Sequence, residues 1–159
     1  MFVEKQIESV IRDQLVSDFT GMTFGEAAAS LTVRTFWAES AYDDDGNDSE
    51  VEIDFPVVYI ATAPNVRESG HVSMRVITLS VTCMTQFNDD YDRNDLATIY
   101  ETARKAIETT TFNFGDNIDY SEDSYEITDG SAAIEDNIQQ ASFQVELHIC
   151  AGAFQWVDV

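Results

Sequence analysis

Two stretches of the chain alternate apolar and polar residues over lengths that suit a β-strand and not a helix. In His71–Phe87 (HVSMRVITLSVTCMTQF), Ile77, Leu79, Val81 and Cys83 share one side, and Val76, Thr78, Ser80 and Thr82 share the other. In Gln139–Cys150, Ala141, Phe143, Val145, Leu147 and Ile149 oppose Ser142, Gln144, Glu146 and His148. Successive side chains of a strand point to opposite faces, so each stretch has one dry and one wet side. A sheet built from such strands needs cover on its dry face only, as antiparallel sheets do.

Two amphipathic helices are available as that cover. Val3, Ile7, Val10, Ile11 and Leu15 form one stripe over Phe2–Asp18, and Thr20-Gly21 supplies a stop. Leu96, Ile99, Tyr100, Ala103 and Ile107 form another over Arg93–Glu108, with Asp92 or Asn94 as the N-cap. Glu8 and Arg12 on the first helix, and Glu101 and Lys105 on the second, are spaced to pair at i,i+4.

Shorter alternating runs give three more strands, at Leu31–Trp37, Val51–Ala63 and Ser124–Thr128. Pro56 cannot donate a ladder hydrogen bond and marks an edge, bulge or break. The acidic run Tyr42–Glu50 reads as a solvated hairpin loop, Phe112–Glu122 as irregular, and Asp129-Gly130 as a turn. The segment around Gly25 and Ala27–Ala29 has no clear assignment. The order is therefore α-β-β-β-α-β-β. It predicts an α+β fold: a two-layer sandwich of a mostly antiparallel sheet with both helices on one face. Residues 1–150 make a single domain, and 151–159 form a tail whose Phe154 and Trp156 are candidates for a contact with a neighbouring subunit or for folding back on their own domain.

Charge narrows the function classes. The chain has 159 residues, 30 acidic and 8 basic, for a formal net charge of −22. Too few cations are present to grip duplex DNA by neutralising phosphates, and an anionic membrane surface would repel the chain. Disorder is not implied, because 44% of residues are apolar and 11% aromatic, enough for a packed core. No apolar run spans a membrane, and the start, MFVEKQIESV, has charges where a signal peptide has its apolar region. The acids comprise 17 Asp and 13 Glu, whereas only two of the bases are Lys, Lys5 and Lys105. Asp-rich, Lys-poor surfaces resemble those of proteins from extreme halophiles, where concentrated salt screens self-repulsion.

Catalytic and metal motifs are not found. His71 and His148 have no partner at ligand or triad spacing and read as surface histidines. Cys83 and Cys150 form no CxxC motif; they are expected as buried thiols, and a disulfide between them would require neighbouring strands. Asp43, Asp45, Gly46 and Glu52 fall at calcium-loop positions 3, 5, 6 and 12, but position 1 is Ala41 and the flanks read as strands. No metal, cofactor or enzymatic activity is expected.

The arrangement itself carries a resemblance. An N-terminal amphipathic helix leads into three strands. The long polar strand HVSMRVITLSVTCMTQF is followed by an acidic break and the helix NDLATIYETARKAIE, then by two strands ending in ASFQVELHIC. Over roughly Phe2–Cys150 this resembles the tail terminator, or tail-completion, proteins of long-tailed phages and related archaeal viruses. The likeness lies in element order rather than in a residue signature. It implies a homo-hexameric ring in the virion, assembled in the host cytoplasm, that caps the tail tube and joins it to the head-side neck. DNA would pass through its lumen without being gripped. An acidic DNA mimic that occupies the groove of a nucleic-acid-binding protein is the alternative.

Overall fold

The structure, a computed structural model, describes residues 3–25, 28–36, 55–65, 74–86, 93–114, 118–120, 126–135 and 137–151. Numbered in chain order, its elements are α1 (Val3–Asp18), β1 (Thr23–Phe24), β2 (Ala29–Ser30), β3 (Thr32–Thr35), β4 (Val57–Asn65), β5 (Met74–Gln86), α2 (Arg93–Thr109), β6 (Ile118–Tyr120), β7 (Glu126–Glu135) and β8 (Ile138–Ala151).

The two alternating stretches become neighbours. β5 and β8 pair antiparallel without a break from Met74↔Cys150 to Gln86↔Ile138. β4 lies antiparallel on the other side of β5, and β3 lies beyond β4. β6 and β7 share the outer edge of β8: β6 takes its last three residues, and β7 pairs with Ile138–Glu146. The result is a six-stranded sheet, with β1 and β2 forming a separate two-stranded hairpin.

Both helices cover one face of this sheet, as the alternation requires. α1 packs over β3 and β4, and α2 over β5 and β8. Ile7, Ile11 and Leu15 of α1 and Ile99, Ala103 and Ile107 of α2 meet Val58, Ile60, Ile77, Leu79, Val81, Phe143, Val145, Leu147 and Ile149 in one apolar core. Each Leu, Ile or Phe removed from water here contributes roughly 1.5–3 kcal/mol. Tyr100 of α2 stands edge-on to Phe143 of β8, with ring centroids 5.4 Å apart and planes at 86°. The fold is thus a two-layer α+β sandwich with its helices on one side. Gly21, at φ 81°, follows α1 in the left-handed conformation that a helix stop needs.

Several local expectations are corrected. β3 and β4 run parallel, Thr32↔Val57 to Thr35↔Ile60. They are therefore not the two arms of a hairpin, and the acidic run Tyr42–Glu50 lies outside the described residues. Phe112–Glu122 is not irregular throughout, because Ile118–Tyr120 pairs with the end of β8. Phe112 and Phe114 before it are buried and stacked, with centroids 5.6 Å apart. Asp129-Gly130 is not a turn. β7 continues through it with a register shift between Asp129 and Ala132, and the chain reverses between Glu135 and Ile138, where Asn137 has φ 63°. Gly130 is required at that shift: a Cβ there would lie 2.6 Å from the carbonyl oxygen of Ser142. Pro56 does mark a break, since β4 begins at Val57. Pro64, inside β4, loses no ladder bond, because it shares the alternation of Ile60 and Thr62, whose backbone groups point away from β5.

Candidate interaction surface

The sheet face opposite the helices is covered by no described element. The pairings lay out its rows. Arg34, Tyr59, Thr82 and Ser142 form one row across β3, β4, β5 and β8. Ala61, Ser80, Gln144 and Thr128 form the next, across β4, β5, β8 and β7. Ala63, Thr78 and Glu146 form a third. All of these are half-buried or exposed. Val57, at one end of the face, is buried. The wet sides expected for β5 and β8 are therefore the same continuous surface.

This surface carries Arg34 and Glu146 amid hydroxyls, amides and alanines, and the register sets Glu126 of β7 beside Glu146 and Asp119 of β6 beside Cys150. The outward side of the helix layer presents Lys5, Arg12, Asp13, Asp18, Glu101, Arg104, Lys105 and Glu108. Arg104 and Glu108 form an i,i+4 ion pair at 3.3 Å, three residues along from the expected Glu101 and Lys105. Charge is also unequally divided along the chain. The described residues hold seven bases and twelve acids, net −5; the remaining segments hold one base and eighteen acids, net −17.

One acid sits in the core layer. Glu8 is fully buried between Ile7 and Ile11, and its Oε2 accepts hydrogen bonds from the backbone N–H of Thr62 at 3.1 Å and from the Thr62 hydroxyl at 2.5 Å. The cause is local. The last described rung between β3 and β4 is the Phe36 N–H to the Ile60 carbonyl; beyond it no described strand lies on that side of β4. The Thr62 N–H then points to a vacated edge, and the Glu8 carboxylate takes the place of the missing strand. The signal lay in the spacing: counted back from Leu15 and Ile11, the α1 stripe runs onto Glu8 and Glu4, and Glu4 too is buried. Arg12 reaches Asp13 at 3.4 Å.

The chemistry sought in the sequence is not assembled among the described residues. No group of three or more His, Cys, Asp or Glu is placed to hold a metal ion. Cys83 is buried, and desolvation pushes its thiol pKa up to about 12, so it is no nucleophile at neutral pH. Cys83 lies opposite Ala141 and Cys150 opposite Met74, nine residues along the same ladder, or about 30 Å. The strands neighbour one another, yet this register excludes a disulfide within the chain. Buried hydroxyls of Thr35 and Thr85 have no hydrogen-bond partner among the described residues, but they belong to two separate strands of the covered face. His148 lies opposite Val76 in the β5–β8 ladder. His71, Trp37, the Asp43–Glu52 loop, Phe154 and Trp156 lie outside the described residues. No described helix is long and apolar enough to cross a membrane.

No known protein-family profile matches the chain, and no curated protein sequence matches it.

Proposed function

We propose that the chain is a structural virion protein, a tail terminator whose homo-hexameric ring caps the tail tube and joins it to the head-side neck. The observation that supports this is the β5–α2–β8 unit. The strand, break, helix and strand that carry the resemblance are the centre of the sandwich: β5 and β8 are neighbours, and α2 lies on both. The charge agrees with DNA passing a lumen without adhering, since the described residues present no row of cations to exchange for condensed counterions. The protein acts by assembly rather than by catalysis, with the tail tube protein and the neck protein as partners.

The test is native mass together with electron microscopy of the full chain in concentrated salt, alone and with tail tubes. Six chains of 17.8 kDa, about 107 kDa, are expected as a ring at a tube end. A chain that stays monomeric both alone and with tubes would sink the reading. The high-salt habitat is tested by melting across salt. The melting temperature should climb toward molar salt, because screening relieves the self-repulsion of −22 charges.

A further inference from the structure

We infer that the β3–β4 margin of the open face receives the C-terminal segment of a neighbouring copy, with Phe154 set on Phe36 and Trp156 on Arg34 and Tyr59. Three observations carry it. First, the margin offers aromatic rings and a cation. Phe36 continues β3 through its N–H to the Ile60 carbonyl, yet is 53% exposed. Two residues back, on the same face, Arg34 lies beside Tyr59. Residues two apart on a strand share a face at about 7 Å, and Phe154 and Trp156 have the same spacing in an extended segment. Ring on ring and indole on guanidinium are both favourable contacts, and Trp and Arg are the side chains that dominate interfaces. Arg34, Phe36 and Tyr59 keep the contacts they make within their own chain, and the segment is added to these.

Second, the charges agree. Beyond Trp156 the segment carries Asp158 and no base. β3 and β4 hold one base, Arg34, and no acid. The opposite corner of the face is acidic, with Glu126 beside Glu146 and Asp119 beside Cys150. An acidic segment is thus drawn to the margin and repelled from the corner.

Third, reach decides whose segment it is. β8 ends at Ala151, and the acidic corner is the part of the face next to that end. The Arg34 row meets β8 at Ser142, nine residues before Ala151, and Arg34 stands three strands away. On a flat projection Arg34 and Tyr59 are more than about 30 Å from Ala151, and Phe36 about 27 Å. Trp156 follows Ala151 by five residues, which extend at most about 18 Å, and Phe154 by three, about 11 Å. The shortfall of about 13 Å or more exceeds what side chains standing perpendicular to a sheet can bridge. A chain's own segment reaches the corner that repels it, and the margin that suits it is filled by another copy.

This exchange does not rest on the ring, and the experiment separates the two. Full chains carrying p-benzoylphenylalanine in place of Trp156, in heavy- and light-nitrogen forms, are mixed and irradiated at about 1 M salt, where repulsion between acidic copies is screened. Cross-linked pairs of 17.8 kDa chains, about 36 kDa, should join heavy to light peptides and land on Arg34–Phe36 or Tyr59–Ala61. Native mass of the unmodified chain in the same salt should show association that Trp156→Ala and Arg34→Ala each weaken more than about 10-fold, and Arg34→Lys, which keeps a cation, by less. Circular dichroism confirms that each variant is folded, and Trp156→Ala with Phe154→Ala, both beyond β8, suffices if R34A is not. Cross-links confined to one isotope, or landing on the helix layer or the acidic corner, overturn the exchange. So does a chain that is monomeric at every salt, or an association indifferent to Trp156→Ala. A ring at tube ends that survives these variants overturns the exchange and leaves the ring standing. A sensitive association that never caps a tube does the reverse.

Discussion

The centre of the sheet and its β3–β4 margin solve the same problem differently. Between β5 and β8 thirteen residue pairs run without a break, so backbone groups satisfy one another and side chains only decide which face is dry. Between β3 and β4 there are four pairs, and then a side chain from another layer completes the edge. In the centre, stability is shared over many rungs and a large core. At the margin it is concentrated in one carboxylate. A long ladder tolerates loss of a single polar group; a ladder finished by Glu8 does not.

Variants can break or sharpen this contrast. The largest effect is expected at the centre, from packing rather than pairing. Phe143→Ala removes a fully buried ring and its contact with Tyr100, and should cost about 3–5 kcal/mol in denaturant unfolding. A cost under about 1 kcal/mol would mean that the α2–β8 interface is not the core of the molecule. At the margin, Glu8→Ala strands the Thr62 N–H and hydroxyl in a dry layer and should cost about 1–3 kcal/mol. Glu8→Gln keeps an acceptor oxygen and should cost clearly less. Equal losses from the two would show that volume, not the hydrogen bonds, matters there. Hydrogen exchange at the Thr62 amide should quicken in Glu8→Ala before the β5–β8 amides respond. The smallest effect is expected on the outer edge of β8. Gly130→Ala presses a methyl on the Ser142 backbone and should cost about 1–2 kcal/mol, with chemical-shift changes confined to β7 and its β8 partners. Spread of those changes to β4 would mean that the margins are not independent.

The same contrast explains what could be read from sequence. α1, α2, β5 and β8 are long and strongly periodic, and their faces fall where the pattern puts them. Thr78, Ser80 and Thr82 together with Ser142, Gln144 and Glu146 foretell the open surface. The parallel direction of β3 was hidden because direction is set by pairing partners, which a lone run of four residues does not reveal. β6 and the second half of β7 were hidden because Ile118–Tyr120 and Ala132–Glu135 owe their extended shape to β8 rather than to their own alternation. Asp129-Gly130 has turn chemistry, yet a close approach to Ser142 uses the glycine for a bulge instead. Glu8 was legible in spacing and obscured by its charge.

The central ladder also has a kinetic side. Its nearest pair, Gln86 with Ile138, closes a loop of fifty-one residues, and its farthest, Met74 with Cys150, one of seventy-five. The β7–β8 hairpin, by contrast, closes over two residues. Contacts so distant in sequence slow folding, whereas the hairpin is local and can form first. The eight carboxylates of Asp116–Asp136 ride within the long loop, so dilute salt raises the barrier to closing it and concentrated salt lowers it. The ladder that gives the molecule most of its order is therefore the one assembled last, and the medium sets its pace.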